Sequence, residues 1–139
     1  MANGILRTAS IIMLALKNFG FYYLFGTIFF TVYGQLILKW RIRRYGNLPE
    51  HFSEKIVFLF NLLLDPFILS GFVSAVVASF FWMAAMTKFD LSYAYPFMSL
   101  SFVLVFFLSV WFFHEAMTMS KAVGLLLIVA GIVVSSRSI

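Results

Sequence analysis

Lys39, Arg41, Arg43 and Arg44 place four cations at the end of an apolar stretch. Such a cluster is suited to holding an anion. Because it abuts a membrane-length apolar run rather than forming a soluble basic face, it points to a membrane surface or a lipid phosphate. It points away from nucleic acid. Other reactive residue types are scarce. There is no cysteine, which excludes disulfides and thiolate metal sites. His51 and His114 are the only histidines, and no acidic cluster accompanies either, so no metal site is expected. Neither a glycine-rich phosphate loop nor a nucleophile elbow occurs, so enzymatic chemistry finds no support and no cofactor is called for. Glu115 stands beside His114 where an apolar run ends. It reads as a carboxylate paired with His114 or Lys121, or as part of a binding site. Asp65 reads as a helix cap, and Asp90 with Lys88 as a solvated turn.

Composition sets the solvent in which these residues work. Hydrophobic residues make up 63% of 139 and charged residues 11%, with mean hydropathy +1.03. A soluble domain carries about 25% charged residues. A span needs roughly 20 apolar residues, so the length allows about four. The expected fold is an all-α membrane protein: a four-transmembrane-helix bundle with an extra N-terminal interfacial helix.

Residues 1–20 form that N-terminal segment, with Ile5, Leu6, Ile12 and Leu16 near helical spacing and Arg7 and Lys17 as its charges. A signal peptide is the other reading, but no clear small-residue cleavage site follows and Phe19–Phe21 is bulky. An amphipathic helix on the membrane surface is preferred. Residues 21–139 are the transmembrane domain. The first span reads from about Phe21 to Lys39, with Tyr22, Tyr23 and Trp40 near its ends. Arg41–Lys55 is the polar loop, with turns marked by Gly46-Asn47 and Pro49. Ile56–Leu64 is too short to cross and reads as an interfacial or re-entrant helix. Asp65-Pro66 is a helix start, aspartate as N-cap and proline at the first helical position. The second span runs to about Met86, Thr87–Leu91 turns, the third span covers about Ser92–Phe113, and the fourth about Lys121–Ser135.

Small residues let helices approach where lipid offers no hydrophobic drive. Gly71, Ser74, Ala75, Ala78 and Ser79 supply such a face on the second span. Gly124 and Gly131, two turns apart, share a face of the fourth. They serve either packing within the bundle or a dimer contact.

Several of these stretches resemble the four-helix form of the drug/metabolite transporter superfamily, and in length and layout the small multidrug resistance proteins. Gly34 in VYG sits where that family has a first-helix glycine. LSYAYPFM, from Leu91, matches the region ending its second loop, and Gly124–Val134 resembles its fourth-helix dimerisation segment. The resemblance covers the chain from Phe21 onward. The drug-exporting members carry a membrane-embedded glutamate three residues before that glycine; here the position is Thr31. Met98 replaces the tryptophan typical of their third helix. A threonine cannot hold a negative charge, which argues against proton-coupled cation exchange.

The chain is more similar to the EamA-like group that includes the aminoarabinose-phosphoundecaprenol flippase subunits. Those share Val32, Gly34 and Gln35 followed by Lys39, the Ala94-Tyr95-Pro96 segment through Ser99-Leu100, and an acidic residue closing the third helix, here Glu115. This resemblance implies a flippase subunit of the bacterial inner membrane that moves an undecaprenyl-phosphate-linked sugar or a related polyprenyl phosphate lipid. It would work as a homodimer or beside a similar small protein. A small-molecule or multidrug exporter of the same superfamily is one alternative. A non-transporting scaffold that holds a glycosyltransferase to its lipid substrate is another.

In such a task the lipid tail stays in the bilayer while phosphate and sugar cross, and an anion in bare hydrocarbon is expensive. Lys39, Arg41, Arg43 and Arg44 offer charge for the phosphate, or serve only as topology determinants reaching lipid headgroups. Gln35, one turn deeper than Lys39, can donate to phosphate or sugar, or bond another helix. Thr31, Tyr33, Tyr93, Tyr95 and Ser99 are candidates for a polar path. Polar residues converging with Lys39 and Gln35 inside the bundle would suit a flippase; a basic loop without such a path would suit a scaffold. The basic residues place the first loop in the cytoplasm, whereas Arg7 and Lys17 pull the other way, a balance that permits dual insertion.

Overall fold

A computed structural model describes residues 2–137, leaving aside the side chains of Ala2, Leu16, Lys17 and Ser136. The parts assigned above to the Leu16 and Lys17 side chains therefore lie outside the described residues. The described residues form five helices and no strand: α1 (Ala2–Tyr45), α2 (Phe52–Leu63), α3 (Pro66–Met86), α4 (Leu91–Phe113) and α5 (Met119–Ser136). Three of them, α1, α3 and α4, are long and apolar enough to cross a membrane; α5 is apolar but shorter.

The expected break between an interfacial helix and the first span is absent, because α1 runs on through residue 20. A lone glycine in a helix costs only about 1 kcal/mol. Gly20 has a packing reason besides: a Cβ there would stand 2.6 Å from the Phe89 ring. Nor does the helix end at Lys39. It continues to Tyr45, where Arg41 and Tyr45 both reach Asp65, and Gly46 follows with φ 86°, the left-handed conformation that favours glycine. The polar loop shrinks to residues 46–51. The second and third spans start and stop within a residue of the expected bounds.

The α1–α3 packing is the spine of the bundle. Gly34 meets Gly71, where a Cβ on Gly34 would lie 3.1 Å from the Gly71 carbonyl oxygen. Beside this crossing Ser74 donates to the Phe30 carbonyl at 2.5 Å. Gly71, Ser74 and Ala78 of the small-residue face are buried here. At the α3–α4 turn an aromatic plug closes one end, with Leu24, Ala85, Phe89 and Ala94 at its centre and Phe21, Tyr93 and Phe97 around them. At the other end ion pairs tie the α1 C-terminus to the start of α3 and to the α4–α5 loop, and a hydrogen bond from Arg43 ties it to the end of α4. By contrast α5 leans chiefly on α4. A Cβ on Gly124 or Gly131 would meet nothing within 4 Å, so these glycines do not pack inside the bundle.

Candidate functional site

A cavity of about 560 Å³ lies between α1, α3 and α4, flanked by the aromatic plug and the charged end. Four of the expected site residues line it: Thr31 and Gln35 from α1, Tyr95 and Ser99 from α4. Gly34 and Gly71 form part of its wall, so the close helix crossing that builds the spine also shapes the cavity. Tyr95 and Phe102, both on the wall, are 58% and 60% exposed, so the cavity opens toward the surroundings of the bundle. Met98 lines it too. Thus the two positions at which the drug-exporting relatives differ, Thr31 and Met98, face one space.

Polar groups here fall into two kinds. The hydroxyls of Thr27, Ser79, Ser99 and Ser101 donate back to carbonyls of their own helices, leaving only lone pairs for a ligand. Thr31, Gln35 and the Tyr95 hydroxyl have no hydrogen-bond partner among the described residues. An amide both donates and accepts, and a hydroxyl does the same. No charged side chain lines the cavity among the described residues. The arrangement suits an uncharged polyhydroxyl group better than a cation, which would need a carboxylate or a ring of acceptors.

Sequence reasoning passed over Thr27 and Ser101, and a signal for Thr27 was available. Thr27, Thr31, Gln35 and Lys39 recur every fourth residue, the spacing that keeps side chains on neighbouring positions of one helix face. From Thr27 to Lys39 this stripe climbs about 18 Å, more than half of a hydrocarbon core about 30 Å thick. Tyr33 does not belong to it: its hydroxyl lies 3.2 Å from the Ser70 hydroxyl, away from the cavity lining. Tyr93 belongs to the plug, stacked 5.3 Å from Phe89, because the turn after α3 presses it into that aromatic core.

At the charged end the four cations have separate partners. Lys39 pairs with Glu115 at 2.7 Å. Glu115 therefore meets neither of the expected partners, His114 and Lys121, in an ion pair. His114 caps α4 in the left-handed conformation, φ 54° and ψ 37°, one that histidine adopts more readily than most residues. The chain turns there, and Glu115 meets α1. The bond from Lys39 holds the Glu115 carboxyl below its ordinary value against a smaller opposing effect of burial, and the fields of Lys39, Lys121 and Arg43 help.

Arg41 is a structural anchor. Its Nε donates to Asp65 at 2.7 Å while its guanidinium lies over the Phe67 ring, 5.0 Å from the centroid. Asp65 also accepts from the Tyr45 hydroxyl at 2.6 Å and from the backbone N–H groups of Phe67 and Ile68. Burial pushes this carboxyl up, yet the bonds from Tyr45, Arg41 and the two N–H groups together outweigh it, and its pKa falls to about 2. The expected cap is thus also the point that fixes α1 to α3. Committed to Asp65, Arg41 is poorly placed to receive a phosphate. Arg43 donates to the Phe113 carbonyl at 3.4 Å at the end of α4, and Arg44 lies over the Trp40 ring at 4.6 Å.

The family model of the EamA-like transporter family matches residues 5–137. It reaches into the first twenty residues, which the motifs had left outside the resemblance. A protein of Pseudomonas savastanoi pv. phaseolicola is 40% identical over 100 residues, 70% of this chain and 73% of its own length. One of Aeromonas hydrophila is 34% identical over 116 residues, 82% of this chain and 77% of its own length. A third, of Erwinia tasmaniensis, is 29% identical over 119 residues, 81% and 91% of the two chains. All three are named probable 4-amino-4-deoxy-L-arabinose-phosphoundecaprenol flippase subunit ArnF. No solved structure matches the chain. With its apolar helices and a match over nearly its whole length, the chain is a multi-pass membrane protein and belongs to the EamA-like transporter family.

Proposed function

We propose that the protein is a flippase subunit of the bacterial inner membrane that carries the sugar of an undecaprenyl-phosphate-linked lipid, or of a related polyprenyl phosphate, through the cavity between α1, α3 and α4. One observation carries this reading. The unpartnered Thr31, Gln35 and Tyr95 groups converge on one uncharged cavity, and the α1 stripe leads from it to Lys39. That is the polar path a scaffold would lack. An exporter of cations would want an acid at Thr31.

Four crossings follow if α5 completes the bundle. The N-terminal part of α1 then lies along or beyond the membrane surface: 44 residues rise about 66 Å, twice the core thickness, and side chains from Asn3 to Ala15 are exposed. Four helices are few for a sealed pathway, and the uncovered Gly124 and Gly131 support a pairing through α5 with a second copy or a similar short chain.

Native mass spectrometry of the purified protein tests the ligand. Undecaprenyl phosphate should be retained over phosphatidylglycerol, and Lys39→Ala should weaken that preference. Retention no better than that of phosphatidylglycerol, and the same in the variant, would contradict the proposal.

A further inference from the structure

A second space lies on the far side of α4. It is a groove of about 330 Å³ along α4, closed by the α4–α5 loop and Lys121 at the start of α5. Phe102, Val105, Phe106 and Val110 line its length, and Glu115 and Lys121 close its end. We propose that this groove seats the phosphate-proximal part of the apolar tail of a phosphate-bearing lipid whose phosphate is held at the rim by Lys121, Lys39 and Arg43. The proposal rests on the flippase reading and adds to it a tail site and Lys121 and Arg43 as phosphate ligands.

Charge at the rim identifies the occupant. Lys39 pairs with Glu115 at 2.7 Å, while Lys121 donates to the Ala116 carbonyl next to it and Arg43 to the Phe113 carbonyl two residues before it, three cations about one anion. A neutral lipid would leave that surplus unanswered, whereas a phosphate completes it. Lys121 is already drawn to the groove end, its Nζ donating to the Ala116 carbonyl at 3.3 Å, and it is exposed enough to turn toward a ligand.

Depth fits as well. From Phe102 to Phe113 α4 rises about 16 Å, close to half of a hydrocarbon core about 30 Å thick. The groove therefore runs from the headgroup level to about the bilayer middle, the course of a lipid tail. Phe102 borders both this groove and the sugar cavity, so α4 divides the two. A lipid with its phosphate at the rim would lay its tail on one side of α4 and its sugar on the other. A wholly apolar groove would take any tail; the cationic rim selects an anionic one.

The experiment measures retention of undecaprenyl phosphate and of undecaprenol, the same tail without phosphate, by native mass spectrometry. Val105→Trp fills the groove, Ser109→Leu narrows it more gently should the larger change disturb folding, Lys121→Ala removes a rim cation, and Val76→Trp on α3 is the control. We expect undecaprenyl phosphate retention to fall about ten-fold in the groove and Lys121 variants and to hold in the control. Undecaprenol should respond to the groove variants alone. Wild-type retention in Val105→Trp and Ser109→Leu would overturn the tail site, and in Lys121→Ala the rim. If the wild type prefers undecaprenyl phosphate no more than phosphatidylglycerol, the flippase reading falls. The groove is then judged on phosphatidylglycerol: loss in the same variants keeps an anionic-lipid groove, and equal retention ends it.

Discussion

Enlarging Gly34 perturbs the spine and the cavity together. Its Cβ would stand 3.1 Å from the Gly71 carbonyl oxygen, a backbone atom that cannot turn aside, and 3.8 Å from the Ser74 hydroxyl. Overpacking costs about 1–3 kcal/mol, while replacing a helical glycine by alanine returns about 1 kcal/mol. Gly34→Ala should therefore lie between neutral and about 2 kcal/mol destabilised. Gly34→Leu must also place three more carbons in the α1–α3 crossing or in the cavity, and should cost about 3 kcal/mol. For a chain of this size that lowers Tm by about 6–12 °C. Gly71→Ala is no milder than Gly34→Ala: its Cβ would stand 2.9 Å from Ile37 Cγ2, a methyl fixed on a branched Cβ that is stiff in a helix, 3.3 Å from Leu38 Cγ and 3.4 Å from the Gly34 carbonyl oxygen. Thermal unfolding of the purified variants in one detergent, followed by tryptophan fluorescence, reads the series. The reasoning predicts Gly34→Leu as the worst of the three, with Gly71→Ala at least as costly as Gly34→Ala. A Gly34→Leu protein that unfolds at the wild-type temperature would refute the close crossing.

Three further outcomes are expected. The Asp65 carboxyl titrates at about 2, below its ordinary 3.8, so its contribution to stability is full above pH 3.8 and is lost as pH falls through about 2. Asp65→Asn should lower Tm at neutral pH and flatten the acid loss within that window; parallel Tm–pH curves for the two proteins would contradict this. Lys39→Ala should let the Glu115 pKa rise toward 4.5, seen by NMR titration of labelled glutamate, with little change in Tm because both side chains are partly exposed. An unmoved Glu115 would show that Lys39 is not its partner in solution. Gly124→Leu with Gly131→Leu should abolish dimer crosslinking and leave monomer Tm almost unchanged, since neither glycine packs within the chain. Wild-type crosslinking would remove α5 from the pairing.

What the sequence made legible was local. Asp65-Pro66 announces the start of α3 because an N-cap and a proline act on their own turn, and the cap bonds to Phe67 and Ile68 are in place. The small-residue face of α3 was legible because helix approach in lipid needs it. Thr31, Gln35, Tyr95 and Ser99 stood out as polar groups in apolar spans or through family resemblance. What stayed hidden was decided across the fold. The need for a glycine at position 20 comes from Phe89, and the extension of α1 to Tyr45 from Asp65. The partners of Arg41 and Glu115 are 24 and 76 residues away in the chain, beyond the reach of any local spacing. Tyr33 and Tyr95 read alike on paper; only the rotation of their helices sends one to Ser70 and the other to the cavity.

The measurement closest to the central claim is translocation itself. Vesicles holding the purified protein, alone or with its paired chain, would be loaded with a fluorescent short-chain polyprenyl phosphate sugar, and the protected fraction followed after a membrane-impermeant quencher is added. The account predicts that the wild type exposes the inner-leaflet lipid to quencher faster than protein-free vesicles do. Combined Gln35→Ala and Ser99→Ala should slow this while the protein still binds the lipid. Equal rates for protein-free and wild-type vesicles, or for wild type and the cavity variant, would contradict carriage of the sugar through the α1–α3–α4 cavity.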